Sequence, residues 1–413
     1  MDKDIQFRKN FIWNILGTGI NAFNSLFFMI IVTRINGVND AGIFTLAFST
    51  ACIIYVVGIY AGRIYQVTEQ DKSISDKDYI INRIITTILM LVMVVTFILF
   101  RKYRLYKSII FILLTIYKGL EAFSEVLYGI LQKNEKLDVV GKSLFFKSIF
   151  GIIMFIIVDL TTKNMILSIV SVLCVSIIVL IIYDLKHTNQ YIDYKIKANK
   201  DSIIKIFKSG FFTFAIAFLG IYILNAPKYA IDTYLEENYQ TIFGIIVMPA
   251  TVIGLMAQFL IHPFLNQIVE MYENKKLKDL KMLSLKLVFT IIAFGMICSL
   301  LAYCLGTQVL GFIYGLDLSS YRIDLLIIII AATLYTIGII YSSILTSIRE
   351  TFSQFIIYII VSILALILSS FATKRWAIDG AVVAYLVIMT IQFLSYTVYT
   401  NIKIRDRRVK CQK

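Results

Sequence analysis

From one end to the other, the sequence returns to apolar stretches of about 20 residues, the length a helix needs to cross the hydrocarbon core of a bilayer. In lipid the backbone must satisfy its own hydrogen bonds, so such stretches become helices or closed barrels, and unbroken runs of this length exclude alternating barrel strands. Twelve spans can be drawn, at about 11–33, 41–65, 80–100, 108–131, 143–160, 164–183, 206–227, 239–265, 284–305, 324–346, 353–373 and 377–400. A soluble core could not absorb them: 59% of the residues are hydrophobic, only 16% are charged, and the mean hydropathy is +0.82. The first span follows Phe7-Arg8-Lys9-Asn10 with no small-residue cleavage site after it, so it reads as an anchored helix rather than a removed signal peptide. The expected fold is an all-α membrane protein of twelve transmembrane helices.

An even number of spans puts both termini on one side. Most lysines and arginines fall in the segments that share that side, which makes both termini cytoplasmic. The RKYRLYK cluster at 101–107 is the exception. The net charge of +14 is therefore expected to face anionic lipid at the basic loops and tail, not nucleic acid. The longest inner loop follows the sixth span. It divides the chain into an N-terminal six-helix lobe (1–190), a cytoplasmic linker (191–205), a C-terminal six-helix lobe (206–402) and a basic cytoplasmic tail (403–413). Faint repeats agree: NDAGIF at 39–44 and NYQTIF at 238–243 hold corresponding places, as do YGILQKNEK and SSILTSIRE after spans four and ten. A two-half plan places a central cavity between the lobes.

The fourth span, Ile109–Gln132, carries Lys118, Glu121 and Glu125 at spacings that put them on one helical face, with Tyr128 continuing the stripe. Charges at that depth are costly unless they face protein or a hydrated cavity. The stripe can be a self-compensating pair that holds helices together, or the wall of a transport path. Glu125, with no partner on its own helix, favours the second. Arg63 and Arg83 are the other cations inside or near spans. Arg63 reads as the inner end of span two, where it either meets an anion or snorkels to the interface. Span one carries Asn10, Asn14, Thr18, Asn21 and Ser25 at helical period, which suits either close helix packing or a cavity lining. All three prolines, Pro227, Pro249 and Pro263, lie in spans seven and eight, where they favour kinks or ends. His262 beside Pro263 reads as a packing residue.

Catalytic signatures are missing. Gly141-Lys142-Ser143 resembles the end of a P-loop, but Lys136 stands where that motif needs glycine. There is no HExxH and no GxSxG. The five cysteines and two histidines show no metal-ligand spacing, so no catalytic residue, metal or cofactor is expected.

Four stretches carry a resemblance. VTRINGVNDAGIFTLAFS at 32–49, VGIYAGRIYQ at 57–66, PKYAIDTYLEENYQTIFGIIVMP at 227–249 and WAIDGAVVAYLV at 376–387 are similar to signature regions of Wzx-type polysaccharide flippases. These form the polysaccharide transport family of the multidrug/oligosaccharidyl-lipid/polysaccharide flippase superfamily. The chain departs from the family at Gln132-Lys133, where Gln-Gly is common, and it lacks the two additional spans of lipid II flippases. The resemblance implies two six-helix lobes in the bacterial cytoplasmic membrane. It also implies export of undecaprenyl-diphosphate-linked oligosaccharide for capsule, O-antigen or a similar surface glycan, coupled to H+ or Na+. Glycan polymerase and chain-length machinery would be partners. On this reading Arg63, Lys118, Arg83, Asn14 and Asn21 contact diphosphate or glycan, and Glu121 and Glu125 carry the coupling ion. A drug/cation antiporter of the same superfamily and a non-transporting scaffold for glycan assembly are the competing expectations. A facilitator of the major twelve-span superfamily is disfavoured, because QVTEQDKSISDKDY at 66–79 lacks its basic loop signature.

Overall fold

The computed structural model describes residues 2–60, 62–68, 74–193, 198–348 and 350–412, without the side chains of 2–5, 64, 255–259, 262, 266 and 407–412. His262, Arg349 and the end of the basic tail thus lie outside the described side chains. Among the described residues all regular structure is helical.

Each expected span coincides over most of its length with a helix. In the first half these are α1 (Asp2–Ile35), α2 (Val38–Ile59), α4 (Asp76–Arg101), α5 (Leu105–Lys133), α6 (Leu137–Thr162) and α7 (Met165–Val179). Between α2 and α4 lies a short α3 (Gly62–Thr68), and after α7 come a π-helical turn (Leu180–Leu185) and α8 (Lys186–Thr188). In the second half they are α9 (Lys200–Tyr234), α10 (Glu237–Ile261), α12 (Leu277–Leu301), α14 (Arg322–Ser347) and α15 (Thr351–Gln412), with the shorter α11 (Leu265–Glu273) and α13 (Thr307–Tyr314) between them. α15 is two helices joined at a break, where Trp376 and Ala377 leave helical geometry. Among the described residues, nine helices are long and apolar enough to cross a membrane; α5, with its internal charges, is not one of them. Pro227 and Pro249 are accommodated inside α9 and α10, whereas Pro263 sits in a 3-10 turn that ends the helical run before α11.

The chain divides into two compact units, Met1–Phe218 and Leu219–Lys413. The division falls within α9, beyond the 191–205 linker expected from loop length. The basic tail begins inside α15, where Lys403 pairs with Glu350 at 2.9 Å. In the second unit α14 packs against α10, α12 and α15. Its core holds Phe243, Leu325, Ile328, Val382 and Tyr385.

In the first unit α5 is the hub, packed by α2, α3, α4 and α7. α1 lies along α6, closest at Gly17 and Gly141. A Cβ on Gly17 would stand 2.1 Å from the Gly141 carbonyl oxygen, and one on Gly141 would stand 2.2 Å from Trp13 backbone. Two side chains of any size would push these helices apart, so the glycines fix their spacing.

Span two is shorter than the sequence suggests. Apolarity runs through 65, but α2 stops at Ile59 and Gly62 takes a left-handed φ of 73°. Arg83 and Thr86 donate to the Gly58 carbonyl, supplying the hydrogen bonds that a continuing helix would have provided. Arg63 therefore belongs to α3 and not to the end of span two.

Candidate functional site

The site is built around α5. Its residues 117–128 present Tyr117, Glu121, Ser124, Glu125 and Tyr128 to one side, as their spacing of three and four requires. α6 brings Lys147, α1 brings Asn21 and α2 brings Tyr55. These side chains enclose a polar pocket of about 30 Å³. The pocket is small and polar, with room for water or a small monovalent cation beside its carboxylates.

Lys118 turns away from this pocket. Its ammonium is 2.6 Å from Glu121 Oε2 and lies over the rings of Phe48, Tyr117 and Tyr55 at 4.9, 5.3 and 5.7 Å. The pair expected from the i, i+3 spacing is formed, with only 14% and 18% of the two side chains exposed.

Glu125 is not left without a partner, as the sequence had suggested. Gln66 of α3 reaches the Val126 carbonyl at 3.2 Å and fills the space left by Gly129. That contact seats α3 on α5 and brings Arg63 Nε within 3.7 Å of Glu125 Oε2. The separation is long for a charge-assisted hydrogen bond, and Arg63 Nη1 has no partner among the described residues. Reading span two as continuous hid this pairing, because α3 exists only through the turn at Gly62.

Arg83 takes no part in the pocket. It is 3% exposed and closes the end of α2. Asn21 lines the pocket and accepts from Asn24 at 3.1 Å. Asn14 instead sits where α1 meets α6, with a buried Oδ1 that has no partner among the described residues. Asn10 accepts from the Asp138 backbone N–H at 2.9 Å and holds the start of α6. The asparagine stripe is thus mostly a packing seam, with Asn21 alone of the two proposed contacts opening onto the pocket.

Two residues central to the site were missed in the sequence. Lys147 lies near the start of the fifth span, on the basic inner side, and Asp184 is the first residue past span six, so neither stands out in the sequence as an intramembrane charge. In the structure Lys147 lies on α6 and Asp184 on the π-helical turn, and the two form an ion pair. Asp184 is 0% exposed. π-helical turns inside helices are frequent at functional sites. The available signal was a lysine and an aspartate at matching heights on consecutive antiparallel helices.

A second cavity lies in the same unit. It is an open groove of about 450 Å³ lined by Tyr60, Ile204, Phe207, Lys208, Phe211 and Phe212. The Tyr60 hydroxyl donates to the Phe207 carbonyl at 2.7 Å, which ties the start of α9 to the end of α2.

No family model matches the chain. It is 24% identical to the capsular polysaccharide biosynthesis protein CapF of Staphylococcus aureus over 393 residues, 94% of this chain and 98% of that one. Among solved structures it superposes on an inward-facing multidrug resistance MATE family transporter of the MOP superfamily with a TM-score of 0.71 at 12% identity, covering 96% of this chain and 99% of the other. The chain has the MOP transporter fold. The bent form of the Vibrio cholerae MATE transporter VcmN gives 0.58 at 11% identity, over 98% and 97% of the two chains. A MOP superfamily transporter from Pyrococcus furiosus, whose binding pocket is described as reversed in polarity, gives 0.56 at 13%, over 98% and 96%. The protein is a multi-pass integral membrane protein of the bacterial cytoplasmic membrane, built on this MOP-type plan.

Proposed function

We propose that the protein is a flippase that moves undecaprenyl-diphosphate-linked oligosaccharide from the inner to the outer leaflet by alternating access, driven by H+ or Na+. The end-to-end likeness to a capsular polysaccharide protein supports the cargo. The topology that goes with it has twelve spans, a six-helix lobe on either side of the inter-lobe linker, and both termini in the cytoplasm. The groove beside Tyr60, with its aromatic walls and Lys208, suits the lipid-proximal part of such a cargo. Arg63, whose Nη1 has no partner among the described residues, suits the diphosphate.

One observation carries the coupled-transport reading: Glu125 lines a small polar pocket, and its only ion-pair partner among the described residues stands 3.7 Å away. A carboxylate so loosely held can exchange a tethered guanidinium for a proton or sodium ion. Glu121 is the second carboxylate at the pocket. Glu125→Gln is therefore expected to reach the membrane at normal level and to bind lipid-linked glycan. It loses the dependence of export on pH or sodium, read as lipid-linked glycan left on the inner leaflet. Retained ion-dependent export by this variant refutes the assignment.

The multidrug neighbours in fold favour a second reading, drug/cation antiport. The two separate by whether lipid-linked glycan or a cationic drug stimulates ion flux in proteoliposomes.

A further inference from the structure

Lys147 ends in a cage of oxygens. Its ammonium donates to an Asp184 carboxylate oxygen, to Ser124 Oγ at 2.6 Å and to the Tyr128 hydroxyl oxygen at 3.1 Å, which uses all three of its N–H bonds. The other Asp184 oxygen accepts from Ser143. With the Ser143 proton committed there, the 2.8 Å contact between Tyr128 and Ser143 runs from tyrosine to serine. Ser124 in turn donates to the Leu120 carbonyl at 3.0 Å. Every proton in the cluster has a place, and Asp184 acts only as an acceptor, as an ionised carboxylate does.

With the ammonium removed, the remainder is one buried carboxylate and two hydroxyl oxygens converging on a point, contributed by α5 and the π-helical turn. These are hard oxygen donors with a single negative charge. A divalent ion takes more oxygen ligands and usually more carboxylates; one charge suits a monovalent cation. We propose that this is a monovalent-cation site whose resident cation is the chain's own Lys147 ammonium. Lys147 acts as a tethered ion that holds α5, α6 and the π-helical turn together. Asp184 is neutralised in every cycle and takes no part in ion exchange, which leaves the adjoining pocket to Glu121 and Glu125. The inference stands whatever the cargo.

The test is thermal unfolding of the detergent-purified protein in equal concentrations of sodium, methylammonium or choline chloride. The wild type is expected to melt at the same temperature in all three. Lys147→Ala is expected to melt lower in choline and to be shifted upward by sodium or methylammonium, the small cations that fit the vacated cage. Lys147→Ser, whose hydroxyl can partner Asp184 and so eases accumulation in the membrane, is run through the same series. The double variant Lys147→Met/Asp184→Asn, with no charge left to neutralise, is expected to be indifferent to the cation. Lys147→Ala and Lys147→Ser that melt alike in all three salts overturn the proposal and reduce the cluster to an ordinary ion pair. So does a wild type that responds as they do.

Discussion

The Lys118–Glu121 pair can be separated from the transport path by a double-mutant cycle. At 2.6 Å its attraction is about 6 kcal/mol at an effective dielectric constant of ~20. The three rings around the ammonium add about 0.5–1 kcal/mol each. Against this stands a desolvation cost of several kcal/mol for each ion. The two sides nearly cancel, so the pair as a whole adds little, whereas a single change strands one charge at about 3–5 kcal/mol. Lys118→Met strands Glu121. Glu121→Gln leaves Lys118 with its three ring faces and is expected to be the milder change. Lys118→Met/Glu121→Gln removes both charges at nearly constant volume and is expected to recover most of the loss. Membrane level and melting temperature of the four proteins, measured by fluorescence-detected gel filtration after heating, give the coupling energy. A double variant no more stable than Lys118→Met refutes the reasoning. A stable double variant that fails to export would assign the pair to transport rather than to packing.

Two further outcomes follow from the packing and from the end of the second unit. Gly141→Ala places a Cβ 2.2 Å from Trp13 backbone and is expected to destabilise by about 1–3 kcal/mol, while Gly19→Ala, whose Cβ meets nothing within 4 Å, is expected to stabilise; melting temperatures decide both. Partial burial alone would raise the Glu350 carboxyl, but Lys403 and the hydroxyls of Ser353 and Tyr399 outweigh it and hold Glu350 below the usual glutamate range. Its stabilising contribution is therefore complete above the ordinary glutamate value of about 4.3 and lost as pH falls through the lowered value. Wild type is expected to lose more melting temperature than Lys403→Met over that acid window, and parallel losses would refute the link.

The helices were legible because apolar length is a direct physical demand of the bilayer, and each expected span lies on one over most of its length. The charged stripe on α5 was legible for a similar reason: spacings of three and four fix a face whatever surrounds it. What surrounds the face was not. The pairing of Glu125 depends on the helix break at Gly62 and on Gln66 filling the space at Gly129, two features that no local pattern announces. Asp184 was passed over because a hydropathy window trims charged residues from span ends, and Lys147 because it sits near the basic inner end of its span. A lysine compensated by an aspartate on the next helix looks, in sequence, like two residues at span ends. Arg83 was harder to place for the opposite reason. An arginine in an apolar span suggests a ligand, but the carbonyl left open at Gly58 was already its partner.

The charges of the first unit also bear on how a coupled cycle can run. Glu121, Glu125 and Asp184 each face a tethered cation, in Lys118, Arg63 and Lys147. The pocket is therefore close to neutral at rest, and any mobile ion must displace one of these partners. The three pairs are not equally displaceable. Asp184 is wholly buried with each carboxylate oxygen bonded, and Lys118 is enclosed by rings as well as by Glu121. Of the three, only the Arg63–Glu125 pair has a long separation, side chains 25% and 22% exposed, and a donor without a partner among the described residues. On the proposed function, an arriving diphosphate would draw Arg63 away from Glu125; after its release outside, the freed carboxylate would take a proton or sodium ion there and give it up inside as Arg63 returns. The membrane potential works in the same direction for both, at about 2.3 kcal/mol per charge per 100 mV, since it favours anions leaving and cations entering. A carrier whose Glu125 loses Arg63 to the substrate and regains it only when the ion is given up inside thus links the two fluxes through one ion pair, without requiring the more tightly held pairs to open.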